Sequence, residues 1–249
     1  MAAGKTPQVL FLWLFLAVAA GLAFSQSAYF SVREVELSGA LQMSRDEVLA
    51  VAGVRLPANV FSLNPAAIKA KLAEYPMVAK VRVERRLPAR LRIMLTERRP
   101  VGALPYGEHL LLFDREGVPY AVRQASRSPR LPLVTGLRPF PVRLGRPERG
   151  EGLRWLAAVL GSLPPDLDRR IARVEVRRGF DLSLVLDDGV RVRLGGREAI
   201  GRKLGLVRSI LAETAAKGWK VREIDVRSVD QPLVRKGAAP AATAGEAGR

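Results

Sequence analysis

The sequence predicts an α+β protein in which a single N-terminal transmembrane helix precedes two soluble domains. Charge is the first observation: no charged residue occurs from Thr6 to Val32, whereas charges recur every few positions from Arg33 onward. The second observation is the order strand, helix, helix, strand, strand between residues 30 and 98. The third is a series of strands with two amphipathic helices between residues 99 and 236. We therefore expect a β-α-α-β-β domain followed by a mixed, mainly antiparallel β-sheet domain with two helices.

The uncharged segment is long enough to cross a bilayer once. Residues 9–29 supply the roughly 20 residues that a hydrocarbon core requires. Lys5 precedes the segment and a small acidic excess follows it, so the positive-inside rule predicts that residues 1–8 stay cytoplasmic and the body is exported. A cleaved signal peptide is the competing interpretation, because small residues suited to a signal peptidase occur at 17–19 and 21–23. Retention is favoured because the uncharged stretch continues past both sites.

Composition narrows the classes of function. The formal net charge is +17, and there is no cysteine. Such a charge can indicate nucleic acid or an acidic surface as partner. Here, however, the arginines alternate with apolar residues, as at 190–194, which is typical of the solvent face of a half-buried strand. We therefore expect no nucleic-acid partner, and anionic lipid is the second interpretation of the charge. Without cysteine, thiol chemistry and thiolate metal sites are excluded.

The helices of the first domain are predicted from their caps. Ser44 and Glu47 form a capping box, in which the hydroxyl and the carboxylate satisfy free amides at a helix start. Gly53 ends this helix. Asn64 caps the second helix, and Pro65 occupies its first position, where the missing amide costs nothing. The strands around these helices follow from alternation of apolar residues at 30–37, 78–86 and 90–98.

The second domain is predicted mainly from hairpins. Its strand segments lie at 109–113, 118–122, 128–136, 182–186, 190–194, 221–227 and 232–235. Asp114 to Gly117 and Asp188-Gly189 supply the tight turns of the two clearest hairpins. Apolar residues at helical spacing predict helices at 151–163 and 197–217. Residues 137–150 form a connection rich in Gly, Pro and Arg, and residues 237–249 form a tail that is too polar to fold.

Several ordered segments resemble the FtsQ/DivIB family of bacterial cell-division proteins. They are Asn59 to Asn64, Tyr75 to Arg85, Leu87 to Leu91, Thr96 to Gly102, Arg193 to Gly195 and Val221 to Arg227. The resemblance implies a POTRA domain at 30–98 directly after the single span. It also implies an FtsQ-type beta domain at 99–236.

Candidate catalytic residues are few. His109 is the only histidine and stands at a predicted strand start. Gly196 to Lys203 has the glycine spacing of a phosphate-binding loop, but Arg202 replaces the required lysine and Lys203 the required hydroxyl. Asp187 and Asp188 belong to a hairpin turn, where carboxylates face water. We therefore expect no catalytic residue, cofactor or metal, and a function carried by surfaces.

What the resemblance implies about partners is more specific. It implies a scaffold of the divisome in the bacterial inner membrane, enriched at the septum, with its body in the periplasm. FtsB, itself paired with FtsL, would bind along the last strand, and other division proteins through the POTRA domain. Carried over by position, the partner-binding residues are Arg178, Arg227, Ser228, Val229, Asp230, Gln231, Pro232, Leu233 and Val234. An ordinary edge strand is the alternative interpretation of these positions.

Two other classes of function compete with the scaffold. A POTRA-containing outer-membrane assembly or secretion component would carry repeated POTRA units and long barrel strands, whereas this unit occurs once and helices interrupt the later strands. A periplasmic cell-wall enzyme would need a catalytic constellation in a cleft, and none stands out in the sequence.

Overall fold

The computed structural model describes residues 6–39, 43–125, 130–148 and 150–237. The chain divides into two compact units, Met1–Glu97 and Arg98–Arg249. Residues 1–5 of the predicted cytoplasmic tail, the predicted C-terminal tail from residue 238, and the start of the strand predicted at 128–136 lie outside the described residues.

The first unit begins with helix α1 (Thr6–Ser25), which a 3-10 turn at Ala28–Phe30 follows. From Val9 onward its large apolar side chains are exposed. Among the helices of the described residues, none meets the combination of length and apolar character that crossing a membrane requires. The transmembrane helix at 9–29 therefore stays a prediction.

The rest of the first unit holds two small sheets and two helices. Its elements are β1 (Ser31–Val32), β2 (Val35–Ser38), α2 (Arg45–Ala52), β3 (Ala58–Asn59), α3 (Pro65–Glu74), β4 (Val78–Arg86) and β5 (Arg90–Glu97). β1 pairs with β3, and the larger sheet has the order β2-β5-β4, with β2 parallel and β4 antiparallel to β5. The single strand predicted at 30–37 is wrong, because Arg33 and Glu34 interrupt it and its two halves pair in different sheets.

Both predicted helix caps of this unit are confirmed. The Glu47 amide donates to Ser44 Oγ at 3.2 Å, and the Ser44 amide donates to Glu47 Oε2 at 2.8 Å. Asn64 Oδ1 accepts from the amides of Ala66 and Ala67. The helices cover one face of the three-stranded sheet, and buried side chains from helices and strands form one core. They include Val48, Ile68, Leu72, Leu91, Ile93 and Leu95.

In the described part of the second unit, nine strands form one sheet. These are β6 (Pro100–Tyr106), β7 (His109–Asp114), β8 (Pro119–Gln124), β9 (Leu133–Thr135), β10 (Ile171–Arg177), β11 (Asp181–Leu186), β12 (Arg191–Gly195), β13 (Val221–Asp225) and β14 (Leu233–Lys236). Their order is β14-β13-β12-β11-β10-β9-β6-β7-β8. The pairs β6 with β9, β9 with β10, and β12 with β13 are parallel, and the others are antiparallel. The sheet is therefore mixed and mainly antiparallel, as predicted.

Within the described residues of this unit, three α-helices lie between strands in the sequence: α4 (Glu151–Gly161), α5 (Pro165–Asp168) and α6 (Ile200–Ala216). The sequence predicts α4 and α6 but not α5, because a proline that ends one helix can also occupy the first turn of the next. Leu156 of α4 and Val207 of α6 are fully buried, in one core with Leu184 and Ile224 of the sheet. This packing leaves β14 and β8 as the two edges of the sheet.

Candidate functional site

The last strand, β14, lies at one edge of the nine-stranded sheet. It pairs antiparallel with β13, with Leu233 opposite Asp225 and Val234 opposite Ile224. Among the described residues β14 has no strand on its other side. An edge strand has unpaired backbone amides and carbonyls, to which an extended segment of another protein can add as a further strand.

The predicted contact residues fall in two kinds of structure. Arg227, Ser228, Val229, Asp230 and Gln231 lie in the bends that join β13 to β14. Pro232 directly precedes the strand, so its missing amide is not within the ladder. Of the residues predicted here, Leu233 and Val234 belong to β14, which continues to Lys236. The structure therefore places these eight positions along one continuous turn and strand.

The two faces of β14 differ in character. The Val234 side chain is half-buried and packs against the core of the second unit. Leu233 is 49% exposed, although leucine is strongly apolar. The neighbouring Arg235 and Lys236 are exposed as well. By alternation Arg235 shares the face of Leu233, whereas Lys236 shares that of Val234 and its Nζ lies 3.4 Å from the Trp219 ring centroid. An incoming strand would thus meet an apolar side chain next to the cation of Arg235.

Arg227 is already engaged within the molecule. Its Nε donates to both carboxylate oxygens of Asp225 at 3.0 Å, and its backbone amide donates to Oδ1 at 3.1 Å. Burial alone would raise the pKa of Asp225, but the hydrogen bonds from Arg227 and the charges of Arg227 and Arg193 bring that pKa below its ordinary value. The same contact raises the pKa of the Arg227 guanidinium.

Arg178 lies in the short turn Arg178–Phe180 between β10 and β11. Because β11 and β12 are antiparallel and β12 and β13 are parallel, this turn and the bends after β13 share one end of the sheet. Neighbouring strands are about 4.8 Å apart, so the two turns are separated by roughly 14 Å across three strand spacings. Arg178 and β14 therefore do not form one continuous site, and one partner would have to reach across this end of the sheet to touch both.

A cluster that the sequence analysis missed lies near Arg178. The Arg197 guanidinium is centred 3.6 Å from the Phe180 ring and 5.2 Å from the Trp155 ring. Its Nη1 is 3.3 Å from Glu151 Oε2, while Nε and Nη2 are buried without a hydrogen-bond partner among the described residues. Phe180 has a φ of 61°, which L-residues other than Asn and Asp rarely adopt. Arg197 is distant from both Phe180 and Trp155 in the sequence, so no local sequence pattern predicts these contacts.

A cavity of about 410 Å³ adjoins this turn. Arg138, Arg177 and Arg178 line it together with the apolar side chains of Leu137 and Phe180. The arginines are exposed, and the first residues of α4 form one wall. Glu148 also lines the cavity, so its lining carries charges of both signs.

The residues considered for catalysis occupy structural positions. His109 is exposed at the start of β7, opposite Tyr106. Asp188 accepts from Arg170 Nη2 at 2.7 Å and from the Val190 amide at 3.1 Å, as a turn residue does. Gly196 to Ala199 join β12 to α6, and Lys203, in the first turn of α6, donates from Nζ to the Gly196 carbonyl at 3.4 Å. Among the described residues, no group of three or more His, Cys, Asp or Glu side chains could hold a metal ion.

Comparison with known proteins gives matches over both units. Residues 30–98 match the family described as "POTRA domain, FtsQ-type", and residues 104–230 match "Cell division protein FtsQ/DivIB, C-terminal". Cell division protein FtsQ of Myxococcus fulvus is 31% identical over 209 residues, which cover 83% of this chain and 72% of that protein. Cell division protein FtsQ of Mycolicibacterium smegmatis is 30% identical over 220 residues, which cover 88% of this chain and 62% of the relative.

The match to Cell division protein FtsQ of Mycobacterium leprae is 29% identical over 215 residues and covers 86% of this chain and 59% of that relative. The chain thus spans less than two thirds of the length of these mycobacterial relatives. The major extracytoplasmic domain of DivIB from Geobacillus stearothermophilus shares 14% identity with this chain, and the match covers 44% of this chain and 96% of that domain. Its TM-score is 0.29, a value too low to support a conclusion about the fold.

Proposed function

Because the chain belongs to the FtsQ/DivIB family of cell division proteins, we propose that it is a non-catalytic docking platform of the divisome. In this proposal FtsB, paired with FtsL, adds a strand to β14. The observation that carries the proposal is the outermost strand of the large sheet, which presents the exposed Leu233 beside an unpaired backbone edge. Strand addition needs both features, because the backbone supplies affinity and side-chain contacts supply specificity.

Charge supports the same proposal. Arg235 and Lys236 follow Leu233 on β14, and Arg178 lies at the cavity near the same end of the sheet as the bends after β13. An acidic partner would therefore be attracted to this edge, and electrostatic steering raises the rate of association more than it raises affinity. We infer that burial of Leu233 adds to the affinity that the backbone bonds supply, and that the cations raise the rate of association.

The proposal includes anchoring of the chain in the inner membrane, with the body in the periplasm. Its support is the segment without charge and the exposure of α1, whose side chains from Leu10 to Phe15 are 57% to 73% exposed. Exposed apolar surface of this extent marks a contact with lipid or protein. Extraction of membranes with alkaline carbonate tests this part: an anchored protein stays in the pellet, and release into the supernatant would contradict anchoring.

The docking edge is tested by binding of the full chain, in detergent or nanodiscs, to the periplasmic segments of FtsB and FtsL from the same organism. Leu233→Glu should lower affinity at least tenfold, equivalent to about 1.4 kcal/mol. Val122→Glu is the matched control, since Val122 is 38% exposed on β8, the opposite edge of the same sheet. Equal binding by both variants would place the partner elsewhere, and failure of the unmodified chain to bind would remove the docking proposal.

The chain has no cysteine, which allows the register to be tested directly. Single cysteines at 233 and 235, each combined with single cysteines along FtsB, should form disulfides only in pairs that an added strand places side by side. Cross-links scattered over many FtsB positions would argue against strand addition.

A further inference from the structure

The end of α1 is held by a side chain of the short strand β3. Asn59 Nδ2 donates to the Ser25 carbonyl at 2.7 Å. Ser25 is the last residue of α1, and the final carbonyls of a helix have no partner within the helix. Asn59 therefore serves as a C-terminal cap that comes from 34 residues further along the chain.

The same side chain also fixes the position of Phe61. Asn59 Oδ1 accepts a hydrogen bond from the Phe61 amide at 2.9 Å. The Val60 amide donates to the Phe30 carbonyl at 2.8 Å, and Asn59 pairs with Ser31 between β3 and β1. The segment at 59–61 is thus tied to the chain that leaves α1 through side-chain and backbone bonds together.

Four aromatic rings meet at this junction. The Phe30 ring lies 5.3 Å from Phe24, 5.1 Å from Tyr29 and 5.0 Å from Phe61, measured between ring centroids. Phe30 itself is half-buried against the core of the first unit. The other three remain exposed, at 61% for Phe24 and Tyr29 and 47% for Phe61.

This exposed aromatic surface is continuous with the exposed surface of α1. The consecutive residues from Val9 to Leu16 are all apolar and at least 49% exposed, so α1 is apolar on every side. A protein groove covers one stripe of a helix, whereas a helix that is apolar all round needs an apolar medium around it. Aromatic rings at the end of such a helix are typical of the boundary between lipid chains and headgroups.

We propose that Phe24, Tyr29 and Phe61 form a lipid-interface belt that seats the part of the first unit after α1 on the membrane surface, with Asn59 as the positioning residue that locks Phe61 to the end of α1. The occupant of this surface is the headgroup and upper acyl region of a phospholipid bilayer. The proposal rests on the membrane anchoring proposed above and adds that the folded part after α1 itself contacts lipid. That part would then keep one orientation relative to the membrane surface.

Environment-sensitive fluorophores on single cysteines test the belt in the full chain, reconstituted in phosphatidylethanolamine and phosphatidylglycerol vesicles. The probe at Phe61→Cys should emit as in an apolar environment and be quenched by lipids with a spin label near the headgroup. The probe at Leu16→Cys, in α1, should be quenched by spin labels deep in the bilayer. Ala73→Cys is the control, because Ala73 is exposed in the last turn of α3. It lies about 12 Å along that helix from Pro65, the first residue of α3, which follows Phe61 closely in the sequence.

The outcomes separate the belt from the anchoring. A probe at 61 that behaves as in water, with the probe at 16 deep in lipid, would overturn the belt and keep the anchor. Probes in water at both positions would contradict the anchoring. A probe at 61 that is shielded from water but not quenched by lipid labels would show that a protein covers Phe61, which also overturns the belt.

The role of Asn59 has its own test. Asn59→Asp keeps an acceptor for the Phe61 amide but loses the donor to Ser25, whereas Asn59→Ala loses both. Distances between spin labels at Leu16→Cys and Ala73→Cys should spread over a wider range in both variants, and in both the probe at 61 should shift toward water, because the link from Phe61 to α1 needs both bonds of Asn59. Unchanged distributions in folded variants would show that Asn59 does not lock the junction.

Discussion

Arg227 is bound to Asp225, two residues before it in the sequence, through both its side chain and its backbone amide. This matters for the docking proposal because Arg227 is the first position of the inferred contact edge. The side chain is 51% exposed, so it can still meet a partner, but it does so with its charge already paired. Arg193 forms a second ion pair with the same carboxylate, with Nη1 3.7 Å from Asp225 Oδ2.

The first prediction concerns this pair. Asp225→Asn should lower the free energy of unfolding by about 1 kcal/mol at neutral pH, since a charge-assisted bond is lost and Arg227 is partly screened by water. The pKa of Asp225 is lower in the folded chain than its ordinary value of 3.8. The stabilisation is therefore present above that pH and is lost as pH falls through the folded pKa. Urea unfolding of both proteins over a pH series measures the difference.

Asp166→Asn is the control for this prediction. The Asp166 carboxylate is 57% exposed and lies 3.2 Å from Arg208, so its loss should change stability by less than about 0.5 kcal/mol. An Asp225→Asn difference that stays constant down to about pH 2 would contradict the proposed linkage.

The sequence predicts those parts of the fold that depend on neighbours in the chain. Ser44 and Glu47, or Leu182 and Leu184 with their alternation, act over a few residues, and the structure shows each as expected. The split between β1 and β2 could not be predicted, because it depends on pairing of β1 with β3, more than 20 residues away. The parallel pairs in the large sheet likewise join strands that are distant in the sequence, with α4 between β9 and β10 and α6 between β12 and β13.

In the candidate site, too, only the features that depend on neighbours in the chain could be predicted from the sequence. Pro232 already favours an edge strand, because proline cannot donate to an inner ladder, and β14 lies at an edge. The pairing of Arg227 with Asp225 and the stacking of Arg197 on Phe180 were not predicted, since arginines are frequent in this chain and no spacing rule distinguishes the stacked one. Asn59 resembles a family position in the sequence, but only the structure shows its bond to Ser25.

The second prediction concerns packing under the large sheet. A Cβ at Gly102 would lie 2.6 Å from Phe113 Cζ and 3.2 Å from Leu160 Cδ1. Because Phe113 is fully buried, Gly102→Ala should lower the free energy of unfolding by about 1–3 kcal/mol through overpacking. Gly205→Ala is the control: no atom lies within 4 Å of its added Cβ, and alanine should stabilise α6 by up to about 1 kcal/mol. Equal effects of the two substitutions in thermal unfolding would contradict this prediction.

The third prediction concerns Asp114, which is 2% exposed. Its Oδ1 accepts from the amides of Glu116 and Val118 at 3.0 and 2.9 Å, and its Oδ2 accepts from Arg98. Asp114→Ala should cost about 3–5 kcal/mol, because a buried charge loses its counter-ion and two amides lose an acceptor. Asp114→Asn keeps the acceptor and should cost less, about 2 kcal/mol. Equal losses for the two variants in denaturant unfolding would show that the amide bonds contribute nothing.

A titration provides a second measurement on the same group. Burial raises the pKa of Glu116, and the hydrogen bond and charge of Asp114 raise it further. In Asp114→Asn the pKa of Glu116, followed by NMR, should therefore fall toward its ordinary value without reaching it. An unchanged pKa would assign the whole shift to burial.

The fourth prediction concerns Lys203, which is 3% exposed and whose Nζ donates to the Gly196 carbonyl at 3.4 Å. A buried ammonium is costly unless an anion compensates it. Lys203→Met keeps the volume and removes the charge, so it should leave the free energy of unfolding unchanged or raise it by about 1 kcal/mol.

Lys217→Met, at the other end of α6, is the control: it removes an exposed pair with Glu213 and should cost a few tenths of a kcal/mol, roughly what i,i+4 pairs contribute. If Lys203→Met instead destabilises the protein by more than about 1 kcal/mol, the hydrogen bond from Nζ to the Gly196 carbonyl outweighs the cost of burying the ammonium.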